Sequence, residues 1–325
     1  MLEGNIFVAE STTVEDLLTR FEEALLAEAF SDAPFVTEAA THIMSAGGKR
    51  FRPLLVFLAA QFGGEVNEED LIAAALVVEL THVASLYHDD VMDEAALRRG
   101  APSANSRWGN SIAILVGDYL FARASARVAK LGVEYVALQA ETFTRLVQGQ
   151  IAETRGPVEG ERPLEHHLQV IADKTGSLIA TSAVFGGMVS GASPEIVDAL
   201  RAYGEEMGVV FQLSDDVIDI TSEETGKTPG TDLREGVPTL PTLMLDASTD
   251  PDDAELKALI DSDLESDEAL AEALEGLKVH PVMDRAKAEV RRRAELARSH
   301  LAVLPDGEAK DMLVAVCTDL VERST

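Results

Sequence analysis

The sequence contains one cysteine, few aromatic residues, and fewer than half as many basic side chains as acidic ones. A lone Cys317 excludes an internal disulfide and suits a reducing compartment. With 27 Lys and Arg against 57 Asp and Glu, the formal net charge is −30. That balance argues against a nucleic-acid partner and against electrostatic docking on anionic lipid. The opening residues, MLEGNIFVAESTTVEDLL, lack the basic segment followed by an apolar core that a secretory signal needs. The longest apolar runs are broken by Glu, His or Asp, so no stable membrane insertion is expected and the protein is placed in the cytoplasm. Sustained apolar–polar alternation between turn signals is also missing, which leaves little room for β-sheet.

What is present is helical periodicity nearly everywhere and a hydrophobic content of 46% over 325 residues. That is enough for one large all-α domain over residues 1–325. Ser11 or Thr13 can cap a first helix reaching about residue 29, and Pro34 can start a second that stops at Gly47-Gly48. The basic loop GGKRFRP follows, with Pro53 beginning another helix, and Asn67 with Asp70 signals the cap of the next. Further helices are expected over about 111–130, 133–154, 163–190 and 194–220, then three more between 252 and 322. The acidic stretch 248–272 reads as a solvated surface, and the Gly/Pro/Thr-rich loop 223–241 as a functional lid.

The chain is organised around residues 71–100, LIAAALVVELTHVASLYHDDVMDEAALRRG, an apolar helix that ends in Asp89, Asp90 and Asp93. Asp89 and Asp93 are four apart and leave the same face, where like charges repel unless a cation sits between them. A single DDxxD can be a solvated helix end. Here a second apolar run closes with Asp215, Asp216 and Asp219 at the same spacing. Two such carboxylate triads facing each other would line a cavity that calls for a hard multivalent ion, and Mg²⁺ is the economical candidate. Basic groups accompany them: Lys49 and Arg52 on the Gly-Gly loop, Arg98 and Arg99 after the first triad, and Lys174 with Thr175 inside a later apolar helix. A mid-helix Lys among apolar residues is costly, and ammonium and guanidinium groups are what a phosphate site uses. Aspartate with Mg²⁺ on one side and Arg or Lys on the other makes a diphosphate cradle. His82, seven residues before Asp89, shares its stripe and is a candidate ligand; His88 can be read either as core or as site.

GGKRFRP, LTHVASLYHDDVMDEAALRRGAPSANSRWGN, GDYLFARA, KTGSLIATS and FQLSDDVIDI…GKTPGTDLREGVPTLP occur in that order. Over about residues 40–245 the chain resembles the trans-isoprenyl diphosphate synthases of the polyprenyl synthetase family, medium- to long-chain type. The resemblance implies an isoprenoid-synthase bundle of long helices around a central cavity, usually in a homodimer. It implies that Asp89, Asp90 and Asp93 with Asp215, Asp216 and Asp219 hold Mg²⁺ on an allylic diphosphate, the metal falling chiefly to Asp89, Asp93 and Asp215. Arg98, Lys174, Thr175, Gln212 and Lys227 would contact that diphosphate. Lys49, Arg52, His82 and Arg99, with the Gly47-Gly48 backbone, would bind isopentenyl diphosphate. One departure stands out: where many relatives carry a Lys in the loop, this chain has Val237, so no phosphate role is carried over there.

The product tail should run from the first triad toward the start of its helix, past Ser85, Ala84 and Thr81. All three are small, whereas short-chain relatives resemble this region with a Phe or Tyr. A product beyond C20 is expected, in the C30–C50 range of quinone side chains, from a farnesyl or geranylgeranyl primer. Phe121, Phe143 or Val77 could form the tunnel floor. The alternatives are a C20 geranylgeranyl diphosphate synthase, a class I terpene cyclase, and a non-catalytic partner subunit. A cyclase resembles an Asn/Ser/Glu pattern at its second motif, and silent subunits usually lose the aspartates that this chain keeps.

Overall fold

The computed structural model describes residues 5–6, 12–221 and 229–323. It is helical nearly throughout, in agreement with the missing alternation. The helices are α1 (Val14–Glu28), α2 (Pro34–Ser45), α3 (Phe51–Ala59), α4 (Glu68–Met92), α5 (Ala104–Trp108), α6 (Asn110–Leu131), α7 (Val133–Arg155) and α8 (Pro163–Ile171). They continue as α9 (Ser177–Val189), α10 (Pro194–Thr221), α11 (Thr231–Arg234), α12 (Leu240–Asp246), α13 (Ala254–Ile260), α14 (Asp267–Val279), α15 (Pro281–His300) and α16 (Glu308–Arg323). Among the described residues there are also two short antiparallel pairs, β1 (Asn5–Ile6) with β2 (Thr12–Thr13) and β3 (Leu97–Arg98) with β4 (Ala101–Pro102).

Local chemistry sets most of these boundaries. Thr13 caps α1 with its hydroxyl on the Asp16 amide, and the Asp16 carboxylate answers on the Thr13 amide. Asn67 caps α4 by accepting from the Glu69 and Asp70 amides, as its position suggested. Helix α3 begins at Phe51, two residues before Pro53, because Arg50 in a left-handed conformation (φ 48°) turns the chain there. Three expectations are corrected. The run 163–190 is not one α-helix: residues Ala172–Gly176 form a π-helical turn between α8 and α9. The tail holds four helices, α13 to α16, since the short α13 precedes α14. The acidic stretch is not wholly solvated, because Asp253 is buried and bonded to His280 at 3.0 Å.

The residues pack as two compact units. One comprises residues 1–144, 178–201 and 303–311. Its centre is α4, which packs against α1, α3 and α6 and is apolar on every side. Among the described residues α4 alone is long and apolar enough to cross a membrane, and 78% of its most apolar window is buried inside the protein. Tyr87 fastens it to α2 by donating to the Ala39 carbonyl at 2.5 Å. Glycines allow close approach elsewhere in this unit: Gly117 of α6 faces the His88 ring, and Gly186 of α9 lies on the Val56 carbonyl of α3.

The other unit comprises residues 145–177, 202–302 and 312–325. Here α12 packs against α8 and α15, and α14 against α13 and α15. The hydroxyls of Tyr203 and Ser214 on α10 donate to the Leu313 and Leu320 carbonyls, each at 2.9 Å. Each unit gathers segments from distant parts of the chain, so no linker marks them in the sequence.

A Cβ at position 186 would overlap the Val56 carbonyl oxygen and lie 2.8 Å from the Ala59 Cβ. Backbone cannot yield as a side-chain end can, so Gly186→Ala should destabilise by about 1–3 kcal/mol in urea unfolding. A loss below roughly 0.5 kcal/mol, the range of an ordinary surface substitution, would mean that α9 and α3 can separate at little cost.

Candidate functional site

In the first unit the aspartates stand at the end of α4, with the Asp93 amide closing the last turn on the Asp89 carbonyl at 2.8 Å. The three carboxylates are placed differently. Asp93 is exposed and Asp89 half-buried, whereas Asp90 is fully buried. A buried carboxylate needs a cation, and Arg98 supplies it, with Nε at 2.6 Å and Nη2 at 2.5 Å from Asp90 Oδ1. Asp90 Oδ2 has no hydrogen-bond partner among the described residues. Arg98 lies on β3, which pairs with β4 through the two-residue turn Arg99-Gly100. Both turn residues have positive φ, 53° and 78°, the geometry of a type I′ hairpin turn.

That turn sends the Arg99 side chain back to α2, where Nη1 donates to the carbonyls of Ile43 (3.1 Å) and Gly47. Gly48 is wedged between two guanidiniums: a Cβ there would lie 2.8 Å from Arg50 Nη1 and 3.0 Å from Arg99 Nη1. Any side chain at 48 would push them apart. Lys49 beside it is exposed. Arg50, which the sequence groups with Lys49 and Arg52, is instead tied down by Glu22, by Glu79 at 3.0 Å and by the Met44 carbonyl at 3.1 Å. Burial works against its charge, but the bonds to Glu22 and Glu79 outweigh that and raise its pKa. Arg52 differs. Its buried Nε has no partner among the described residues, and desolvation lowers its pKa.

His82 lies among these cations. Desolvation first, then Arg52, Arg99, Arg98 and Arg50, holds its pKa well below the usual histidine range. At neutral pH it is therefore an uncharged imidazole in a basic cluster. The structure brings together Gly48, Arg52, His82, Arg98 and Arg99 near the first aspartates, a concentration of donors whose chemistry suits an anion, with the exposed Lys49 adjoining it in sequence. His88 is accounted for by packing: Nε2 bonds the Ile114 carbonyl of α6 at 3.1 Å, and its ring lies 5.6 Å from Phe121.

Ser85 and Ala84 are both buried. Ser85 lies one turn before Asp89 on the stripe that also holds His82, whereas Ala84 lies on the next stripe, with Thr81 and His88, toward α6. The Ala84 carbonyl is 3.1 Å from where a Cβ on Gly117 would stand. Phe121 stacks on Phe143 at 4.5 Å. Since Phe121 also meets His88, it sits at the level of the aspartates rather than deep below them. Val77, three turns down α4 from His88, is buried.

In the second unit, Lys174 and Thr175 sit on the π-helical turn Ala172–Gly176, a distortion common at functional sites. Close backbone contacts hold it there. A Cβ on Gly149 of α7 would lie 2.6 Å from the Lys174 amide nitrogen, and Gly208 of α10 touches the Gly176 backbone. Lys174 pairs with Glu153 of α7. Gln150, one turn before Glu153, has a buried Oε1 with no partner among the described residues.

The second aspartate motif ends α10 and repeats the pattern of the first. Its middle carboxylate, Asp216, is buried, with Oδ2 accepting from His167 Nε2 at 3.0 Å and from the Leu240 amide at 2.9 Å. Gln212 Nε2 reaches Oδ1 at 3.4 Å. The outer carboxylates are half-buried: Asp215 meets Arg323 at 3.2 Å, and Asp219 accepts from the Asp232 amide at 3.3 Å. Lys227 lies outside the described residues. Glu153, His167 and Arg323 sit in no motif; their partners Lys174, Asp216 and Asp215 locate them only in three dimensions.

Among the described residues no three His, Cys, Asp or Glu side chains are grouped closely enough to hold a metal by themselves. The donor chemistry nevertheless suits Mg²⁺, which takes one or two carboxylates and completes its shell with water and phosphate. Asp89 with Asp93, and Asp215 with Asp219, each offer a pair one turn apart.

The profile of the polyprenyl synthetases matches residues 33–277. The chain is 46% identical over 308 residues to a nonaprenyl diphosphate synthase of Mycobacterium tuberculosis, covering 94% of this chain and 92% of that one. It is 31% identical over 303 residues to an octaprenyl diphosphate synthase of Escherichia coli, covering 92% and 94%. The crystal structure of a geranylgeranyl pyrophosphate synthase from Corynebacterium glutamicum, complexed with calcium and isoprenyl diphosphate, superposes with a TM-score of 0.87 at 46% identity, covering 95% and 96%. With motifs, all-α fold and matched length in agreement, this chain belongs to the polyprenyl synthetase family and is a prenyltransferase.

Proposed function

We propose that the enzyme elongates an allylic diphosphate, farnesyl or geranylgeranyl, by successive head-to-tail addition of isopentenyl diphosphate. The product is longer than C20, in the C30–C50 range of quinone side chains. The observation that carries this reading is the basic cluster around Arg52, whose buried Nε lacks a partner among the described residues, beside an aspartate motif whose middle carboxylate is already neutralised by Arg98. An anion such as diphosphate satisfies the first, and Asp89 and Asp93 carry the carboxylate oxygens that a hard cation takes. The nonaprenyl, octaprenyl and heptaprenyl synthases among the relatives support the chain length.

In this reading Asp89 and Asp93, and Asp215 on its own helix, would hold Mg²⁺, which would supply positive charge for the leaving diphosphate. Lys174, Thr175 and Gln212 bond the leaving diphosphate and favour ionisation of the allylic C–O bond. Lys49, Arg52, Arg99, the neutral His82 and the Gly48 backbone hold isopentenyl diphosphate so that its double bond faces the cation. The apolar residues of α4 exclude water and protect the carbocation. The final proton passes to a diphosphate oxygen, so no His or Glu is required as general base. Exposed apolar residues on α6 and α7, among them Ile114, Leu115 and Val136, favour a homodimer. The buried, unpaired Cys317 suits the cytoplasm. A C20 product is the second reading, favoured by the likeness to the C. glutamicum enzyme.

Incubation with farnesyl diphosphate, labelled isopentenyl diphosphate and Mg²⁺ should give a ladder ending beyond C20, and EDTA should abolish it. A single C20 product would select the second reading, and cyclised hydrocarbon would reject both. Ser85→Phe should shorten the longest product, because Ser85 shares its stripe with Asp89. An unchanged distribution would show that the tail runs along another face of α4.

A further inference from the structure

Lys174 owes its position to a helix defect. In the π-helical turn one extra residue is accommodated, which rotates the residues beyond it relative to a continuous α-helix. Such a turn persists only where its surroundings hold it. The glycine contacts at Gly149 and Gly208 leave room for it but do not require it.

Within its own run the turn is held by the Gln169 side-chain amide on Asp173 Oδ2 at 2.7 Å and the Ser177 hydroxyl on the Asp173 carbonyl at 2.5 Å, and a side chain from α7 grips it from outside. Arg145 of α7 places Nε on Asp173 Oδ1 at 2.9 Å, and its Nη2 reaches the Ala172 carbonyl at 3.3 Å. Nη1 and Nη2 also clasp both oxygens of Glu205 on α10, at 2.5 and 3.0 Å. A planar fork that meets two carboxylates and a carbonyl fixes the first two residues of the turn against two other helices. The residue next along is Lys174, whose amide is also in contact with Gly149. The bonds to Glu205, then Asp173, raise the Arg145 pKa, so the clasp stays charged throughout the working range.

We propose that Arg145 is a positioning residue for the prenyl transfer, holding the π-helical turn in the form that presents Lys174 and Thr175 to the allylic diphosphate. This rests on the diphosphate role given to Lys174 under the proposed function. Arg145 touches no substrate; it acts through Lys174. A lysine in its place cannot make the bidentate bond to Glu205 while also reaching Asp173.

The test is a double-mutant cycle of Arg145→Met and Lys174→Ala in the full chain, read as kcat and as KM for each substrate. Misplacing Lys174 should lower kcat/KM for the allylic diphosphate by roughly tenfold to a hundredfold, with KM for isopentenyl diphosphate unchanged. In the Lys174→Ala background, Arg145→Met should add less than about twofold, since the two changes remove one function. Calorimetric titration with inorganic diphosphate and Mg²⁺ should show both single variants weakened alike, and Arg145→Lys should recover only part of the loss. Additive effects in the cycle, or equal changes for both substrates, would overturn the proposal and leave Arg145 as a fold element only. If Arg145→Met does not fold, Glu205→Gln, which loosens the clasp while leaving Arg145 in place, replaces it in the same cycle with the same expectations. Wild-type protein that elongates no allylic diphosphate would instead defeat the elongation reading itself.

Discussion

A carboxylate buried at the apolar end of a helix is stable only beside a cation or several N–H donors, and both aspartate motifs are built on that constraint. In each DDxxD the middle residue turns inward. Asp90 is neutralised by Arg98, and Asp216 accepts hydrogen bonds from His167 and the Leu240 amide. These inward bonds determine much of what surrounds them. Asp90 fixes the β3–β4 hairpin, and with it the left-handed Arg99 that reaches the Gly47 carbonyl. Asp216 fixes the start of α12 and the face of α8. The outer aspartates of each motif lie one turn apart, less buried than the middle one.

The same constraint separates cations that look equivalent along the chain. Lys49, Arg50 and Arg52 are near neighbours in one loop. Arg50 is consumed by Glu22 and Glu79, whereas Arg52 keeps a buried donor without a partner among the described residues. Glu79, inside an otherwise apolar stretch of α4, is what makes the difference. The concentration of positive charge around His82 likewise keeps that imidazole neutral.

Glycine shapes the second cluster as much as charge does. Gly149 and Gly208 bring the backbones of α7 and α10 against the turn at Lys174 and Gly176, where no side chain would fit. The π-helical turn that carries Lys174 lies against that contact, under the Arg145 clasp. It lies inside a run that is apolar on both sides of Asp173-Lys174-Thr175, so its sequence reads as one helix.

By itself the sequence determined the all-α class, the cap at Asn67, the glycine loop and the two aspartate motifs. Each of these depends on residue type and spacing within one or two turns, which is what a linear pattern records. Which aspartate turns inward, which arginine is tied down, where a helix takes an extra residue, and the parts played by Glu153, His167 and Arg323 were decided only by the tertiary structure. Those outcomes depend on partners on other elements, most of them tens of residues away: Asp90 and Arg98 lie on separate elements, Asp216 and His167 are forty-nine apart, and Asp215 and Arg323 are one hundred and eight apart. The burial that makes such pairs necessary exists only once the chain has folded.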